Sequence, residues 1–405
     1  MRGAPWIPPT GLLAGQLAHG LSWVLLAFLA SRGVAAGSIQ SLSWVHLIGL
    51  AWLSTIALSV LLFVLPQFTD VRWRAESLAR AGVAVFAAGA FALATAFWLA
   101  NWPFVRGAAV VVAAGLLGYV VAACLTLAAA LRGAPAERAI ARALLAVFAF
   151  FAVAAALGVA MTWASSASHL LRSGPAIHAH FAGLGWLTLL VMGVSVRTVG
   201  AIAGARSARR WPHIASGASC ALAVLVLASG LWWGLDALEW LGSAAAGAGV
   251  LIYALDMLDV LRRARVTHRP PQAFLMAGLL WLLVAATLGI GVVAGEPWGP
   301  AYVYVALVGW LGQMVNGHLH HIGVRLMATM ARGDDDETPP GALLNGALTW
   351  LTFWCFQLAV LVGTTGLLAG APAFLLAAAI AGATGWLAMA LNLAAAWRAA
   401  HAVTL

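Results

Sequence analysis

Three stretches of one pattern decide the fold: His46-Leu-Ile-Gly-Leu-Ala-Trp52, His180-Phe-Ala-Gly-Leu-Gly-Trp186 and Tyr304-Val-Ala-Leu-Val-Gly-Trp310. Each places an imidazole or a phenol six positions before a tryptophan, within a long apolar segment. The third stretch is followed by Gly317-His318-Leu319-His320-His321. A histidine inside a membrane span is energetically costly, so its presence there indicates a functional site. The chemistry that these residues suggest is ligation of a metal ion or a haem.

The composition is that of an integral membrane protein. The chain is 63% hydrophobic and 8% charged, whereas soluble domains carry about 25% charged residues. A membrane span needs about 20 apolar residues. Segments of that kind predict about twelve spanning helices in a single transmembrane domain over residues 1–405. The predicted spans lie near residues 11–31, 42–66, 79–101, 107–131, 140–163, 175–200, 213–234, 240–261, 273–294, 301–329, 343–369 and 373–398.

The aligned stretches also indicate an internal repeat. Trp52, Trp186 and Trp310 recur at intervals of about four predicted helices, which puts them in spans two, six and ten. Small residues that would let helices approach closely follow each tryptophan by seven positions: Ser59, Gly193 and Gly317. The fold expected is therefore all-α, a pseudo-threefold bundle of three four-helix repeats. Their approximate bounds are 1–135, 136–270 and 271–405.

The charge pattern predicts the topology. All 21 basic residues are arginine, and they cluster in the loops after even-numbered spans, for example Arg206, Arg209 and Arg210. The positive-inside rule then places both termini in the cytoplasm. Residues 1–10 lack the pattern of a cleavable signal peptide. We expect a multi-pass protein of a bacterial inner membrane with the lipid bilayer as its main partner. Nucleic-acid binding is not expected, because the arginines form no single stripe.

Helical geometry limits how the histidines can cooperate. His178 and His180 are two residues apart, about 200° around a helix, so they face different directions. The same holds for His318 and His320. His318 and His321 are three residues apart and share one face. The three cysteines are isolated and no CxxCH motif occurs, so a haem in this protein would be b-type and not covalently attached.

Histidines in the second, sixth and tenth of twelve helices resemble the catalytic subunit of haem–copper oxidases and nitric oxide reductases. In topology the resemblance covers the whole chain, but in sequence it is confined to the three stretches. It implies that His46 and His320 hold a low-spin haem and that His318 holds the iron of a second haem. It further implies a copper ligand at His178 or His180, and a periplasmic cytochrome or copper protein as electron-transfer partner. The pattern is also similar to the NnrS family of haem- and copper-containing membrane proteins linked to nitric oxide tolerance.

The sequence departs from the oxidase pattern at the copper site. The histidine pair expected in span seven is missing, since that span has only His213 at its start. The cross-linked tyrosine of span six is missing too, because Ala182 and Leu184 stand where it would follow His178 or His180. No carboxylate lies in the middle of a span, so proton pumping is not expected. These departures indicate a reduced relative with a simpler role.

The depth of the histidines leaves two arrangements open. His318 follows Tyr304 by about four helical turns, roughly 20 Å at 1.5 Å per residue, and Tyr304 stands at the repeat position of His46. One arrangement is a single haem shared by His46 and the inner histidines. The other has two sites. The outer site would contain His46, His178, His180 and Tyr304, and the inner site would contain His318, His320 and His321.

Three functions follow from these patterns. The first is a haem-binding protein, with copper as a second metal, in electron transfer or in redox chemistry of nitric oxide or oxygen. The second is a permease in which imidazoles and nearby Met314, Met327 and Met330 pass copper or zinc ions. The third is a membrane subunit without catalytic activity whose histidines serve only packing.

Overall fold

The computed structural model describes residues 7–207, 209–265, 269–333 and 338–402. All the regular elements of this part of the chain are helical, and no strand occurs in it. Residues 1–6, part of the segment behind the signal-peptide expectation, lie outside the described residues.

The described residues form twelve long helices, labelled α1 to α12 in chain order. Their bounds are α1 Ile7–Ser31, α2 Ile39–Thr69, α3 Glu76–Trp98, α4 Trp102–Ala130, α5 Pro135–Trp163, α6 His169–Ala203, α7 Trp211–Trp233, α8 Asp236–Arg262, α9 Arg269–Val293, α10 299–332, α11 Gly346–Ala369 and α12 Pro372–His401. They agree with the predicted spans to within a few residues.

Eleven of these helices are long and apolar enough to cross a membrane, which confirms a polytopic α-helical membrane protein. The exception in the described part of the chain is α10. Its length suffices, but Gln313, Asn316 and its three histidines lower its hydropathy. Most of these polar side chains are buried, and Gln313, Asn316 and His320 are at most 2% exposed. The polar side chains of α10 therefore lie mostly against other helices of the protein.

Three helix hairpins form much of the periphery of the bundle. The helices α3 and α4 pack along each other, as do α7 with α8 and α11 with α12. Close approach within the hairpins depends on glycine, since a Cβ atom on Gly115 would lie 2.4 Å from the backbone nitrogen of Phe86. In the second hairpin a Cβ on Gly242 would lie 2.8 Å from the nitrogen of Leu227. The last helix of the chain, α12, packs against the first, α1.

The central helices α2, α6 and α10 are each interrupted by a wide π-helical segment. These segments are Leu47–Ser54, Phe181–Thr188 and Val305–Leu311, and each begins directly after His46, His180 or Tyr304. A π-helix is rare and usually limited to a single turn, and it often marks a functional site. The three segments contact one another pairwise. The aligned stretches of the sequence therefore meet in the middle of the bundle.

Candidate functional site at the junction of three helices

Six aromatic side chains form a layer where α2, α6 and α10 begin. Each helix contributes the residue directly before its π-helical segment and the residue two positions earlier. We call this group the aromatic layer; it comprises Trp44, His46, His178, His180, Tyr302 and Tyr304. The two side chains of one helix face different neighbours, as the two-residue spacing predicted for His178 and His180.

The layer contains three pairs, one at each boundary between central helices. The ring centroids of His46 and His178 are 6.4 Å apart, with the ring planes inclined by 24°. His180 and Tyr302 are 6.5 Å apart. Trp44 and Tyr304 are stacked at 5.7 Å. Each pair joins the later position of one helix to the earlier position of another, so the same contact recurs three times around the junction.

Hydrogen bonds fix the tautomer of the paired histidines. The Nδ1 atom of His46 lies 2.8 Å from the carbonyl oxygen of Leu42, and that of His178 lies 2.8 Å from the carbonyl oxygen of Ala154. A carbonyl oxygen only accepts, so each Nδ1 carries the proton and donates it. In the neutral imidazole the lone pair then lies on Nε2. Among the described residues neither Nε2 atom has a hydrogen-bond partner.

The surroundings of the His46–His178 pair leave little freedom of movement. The ring of Phe97 from α3 lies 4.7 Å from the ring of His46. On the other side, Gly158 of α5 faces His178, and a Cβ atom there would lie 3.2 Å from Cε1 of the imidazole. Both rings are partly buried. The pair is therefore held in place by an aromatic wall and by a glycine that makes room for it.

A second layer lies about two turns further along the same helices and is built on the three tryptophans. The indole Nε1 of Trp186 donates to the hydroxyl of Ser54 at 3.0 Å, and that of Trp310 donates to Thr188 at 3.1 Å. The third indole, Trp52, lies against Gly312, where a Cβ atom would be 3.1 Å from its ring. We call these residues the indole layer. Ser54, Thr188 and Gly312 each stand two positions after a tryptophan.

The histidines of α10 lie beyond both layers and face different neighbours. His318 faces α6, because its Nε2 lies 2.8 Å from the hydroxyl oxygen of Thr198 while its Nδ1 donates to the carbonyl oxygen of Met314. His320 faces α9, where its ring stacks at 5.3 Å on Phe274. Its Nδ1 donates to the carbonyl oxygen of Asn316. The sequence prediction that His318 and His320 point in different directions is consistent with these contacts.

The sequence predicted that His318 and His321 share one face, because they are three residues apart in what was expected to be an α-helix. A second π-helical segment, Leu319–Gly323, contains His321, so an α-helical rotation does not describe this turn. Among the described residues no group of three or more histidine, cysteine or acidic side chains is arranged to hold a metal ion. The described cysteines are free thiols in separate helices.

A small apolar cavity lies between α2, α6 and α10 on the α10-histidine side of the indole layer. Its volume is about 110 Å³, and its wall includes Val60, Val194, Thr198, Met314 and His318. His318 is thus placed at the edge of a cavity, with its second nitrogen engaged by Thr198.

The structure thus brings together His46 and His178 and places His180 beside Tyr302. It does not pair His46 with His320, since the first lies beside α6 and α3 while the second lies beside α9. Sequence reasoning missed the partners Trp44 and Tyr302. A readable signal was present in the aligned triplets Trp-Val-His, His-Ala-His and Tyr-Val-Tyr.

No protein-family model and no curated protein sequence matches this chain. Its function is therefore argued from the geometry of the junction.

Proposed function

We propose that this chain is a redox protein of the membrane that binds a transition metal, as copper or as the iron of a b-type haem, at His46 and His178. The observation that carries the proposal is the His46–His178 pair. Both imidazoles are held by an Nδ1–H bond to a carbonyl oxygen, and both present the Nε2 lone pair. A second hydrogen bond of this kind is what orients metal-ligating histidines in proteins.

The separation of the two rings suits a metal ion between them. Imidazole nitrogens bind such ions at about 2.0–2.1 Å. The ring centroids of His46 and His178 are 6.4 Å apart, so these two imidazoles are the residues that would hold the ion. Two protein ligands suit an ion whose other ligands come from a porphyrin or solvent, or a two-coordinate copper. They suit a structural zinc less well, because it takes four protein ligands.

We further propose that three four-helix repeats build the junction. Support comes from the π-helical segments at equivalent positions in α2, α6 and α10, from the three aromatic pairs and from the two equivalent indole–hydroxyl bonds. The hairpins α3–α4, α7–α8 and α11–α12 occupy corresponding places in the three repeats. In this arrangement the His46–His178 pair is one of three related pairs, and the only one with two imidazoles.

The proposal is tested on protein purified from cells supplied with haem and copper. We expect an absorption spectrum or a metal analysis to reveal one bound cofactor, and His178→Ala to lose it while the folded protein is retained. A haem and a copper ion are distinguished by the Soret band of the haem. Wild-type protein that is colourless and free of metal would contradict the proposal.

A metal permease is a second candidate, favoured by the position of the cavity. His318 and Met314 line that cavity between α2, α6 and α10, and the first two of these helices also carry His46 and His178. Imidazole and thioether groups are suitable ligands for copper(I). This function predicts copper flux into proteoliposomes that His318→Ala abolishes. A retained cofactor with no flux favours the redox function instead.

A further inference from the structure

The indole layer is closed at two of its three junctions and open at the third. Trp186 and Trp310 each donate an indole N–H to a hydroxyl of the neighbouring central helix. At the third junction the equivalent residue is Gly312, which offers no side chain and lies against Cη2 and Cζ3 of the Trp52 ring. Trp52 is only 1% exposed, yet its Nε1–H has no acceptor among the described residues.

A buried histidine lies beside Trp52 at the open junction. His19 of α1 stacks on Trp52 with ring centroids 3.6 Å apart and planes inclined by 7°. It is fully buried, and neither of its ring nitrogens has a hydrogen-bond partner among the described residues. At the closed junction of Trp186 a phenyl ring takes the place that His19 has at Trp52. Phe151 stacks on Trp186 with ring centroids 4.2 Å apart and planes inclined by 10°. A phenyl ring would serve as well at position 19 if the role were only packing.

A chain of hydrogen bonds approaches the open junction from the other side. The indole of Trp281 donates to Gln357 at 2.9 Å, and the amide of Gln357 donates to Gln313 at 2.9 Å. Gln357 follows Phe356, whose ring lies 5.2 Å from that of His19. Gln313 is fully buried, directly follows Gly312, and its Nε2 has no acceptor in the described part of the chain.

The buried groups around the junction form a complementary set of donors and acceptors. Trp52 and Gln313 offer N–H donors, while His19 offers one nitrogen lone pair. Gln16, one turn before His19, has an amide oxygen and nitrogen that are also buried without partners. Leaving such groups buried and unpaired is energetically unfavourable. A water molecule accepts two hydrogen bonds and donates two, and buried waters take 2–4 polar partners of this kind.

We propose that the junction of α1, α2 and α10 is a buried water-binding site held by Gln16, His19, Trp52 and Gln313. Gly312 lies against the Cη2–Cζ3 edge of the Trp52 ring, away from Nε1, and leaves the indole N–H without an acceptor. A metal ion suits the same groups less well than a water does, since the indole and amide N–H donors have no lone pair and only His19 and the Gln16 oxygen could be ligands. The bound water continues the chain of hydrogen bonds from Trp281 through Gln357 and Gln313 to the imidazole of His19.

The site is tested by hydroxyl-radical labelling with synchrotron X-rays on the full chain in lipid nanodiscs. Radicals formed from a bound water modify the side chains beside it even when those side chains are buried. Trp186 and Trp310 are internal controls, because both are 1% exposed, as Trp52 is. We expect Trp52 to be oxidised several-fold faster than either control. Equal rates for the three tryptophans would overturn the proposal.

One variant checks the residues that hold the water. His19→Phe copies the ring that Phe151 supplies to Trp186 and removes both ring nitrogens, so labelling of Trp52 should fall to the rate of the controls. The wild-type rates and His19→Phe together decide the assignment. Rapid labelling of Trp52 that persists in His19→Phe would refute the assignment of His19.

Discussion

His46 and His178 of the aromatic layer can be compared with His318, which borders the apolar cavity. All three imidazoles are held in the same way at Nδ1, but they differ at Nε2. His46, His178 and His318 each donate Nδ1–H to a carbonyl oxygen. The Nε2 of His318 then meets the hydroxyl of Thr198 at 2.8 Å. The Nε2 atoms of His46 and His178 have no such partner among the described residues. An imidazole within the membrane is thus a ligand candidate only when its second nitrogen is not engaged.

The largest expected effect is the loss of metal binding when one imidazole of the aromatic layer is removed. We expect His46→Ala and His178→Ala each to weaken metal binding by ~100-fold or more, since loss of even an outer-sphere partner costs 10–100-fold. Metal content and titration with copper or haem measure the effect. His318→Ala is the matched control and should bind normally. Full occupancy in both His46→Ala and His178→Ala would place the site elsewhere.

A larger side chain beside the His46–His178 pair should weaken metal binding less than the loss of a ligand does. A Cβ atom on Gly158 would lie 3.2 Å from the ring of His178, so Gly158→Val should displace that ring. We expect metal affinity to fall by about tenfold, an effect of the size seen when a ligand's orientation is disturbed. Gly193→Val is the control, because a Cβ there meets nothing within 4 Å. Equal affinity in the two variants would mean that the position of His178 is not critical.

The indole layer connects the two regions, and breaking it should affect stability. In Ser54→Ala the indole N–H of Trp186 loses its acceptor while it stays buried. We expect the free energy of unfolding to fall by about 1–3 kcal/mol. Ser59→Ala is the control, because Ser59 bonds only to a carbonyl of its own helix. Equal stability of the two variants would show that the indole bond contributes little.

The smallest effect is expected at the inner histidine. His318→Ala removes the hydrogen bonds to Thr198 and to the carbonyl oxygen of Met314, each worth about 0.5–1.5 kcal/mol of stability. Thermal unfolding of the variant in nanodiscs measures this loss beside Thr198→Val, which removes only the bond between Thr198 and His318. A loss in His318→Ala no larger than that in Thr198→Val would show that the bond to Met314 contributes little.

The sequence predicted the helical membrane fold, because apolar length is a local property. The threefold repeat stays a prediction from the repeated aromatic–tryptophan spacing. The sequence also predicted that His178 and His180 diverge, since that follows from helical rotation. It could not predict which imidazoles meet. The π-helical segments change the rotation beyond His46, and the pairing of His46 with His178 depends on how α2 and α6 are turned towards each other.

His19 shows a second limit of sequence reasoning. A lone histidine in an apolar span is most simply interpreted as packing, and its stack on Trp52 agrees with that interpretation. Its two nitrogens without partners become visible only with the neighbours of Trp52 in place. The readable signal was the triplet Trp-Leu-Gly at residues 310–312, where the other two stretches have Trp-Leu-Ser and Trp-Leu-Thr.

The most direct test of the central claim is an absorption spectrum with metal analysis on three purified proteins. These are the wild type, the double variant His46→Ala/His178→Ala, and His318→Ala, each from cells supplied with haem and copper. We predict one copper ion or one haem per chain in the wild type and in His318→Ala, and neither in the double variant. A metal-free wild type, or a cofactor that persists in the double variant, would contradict the account.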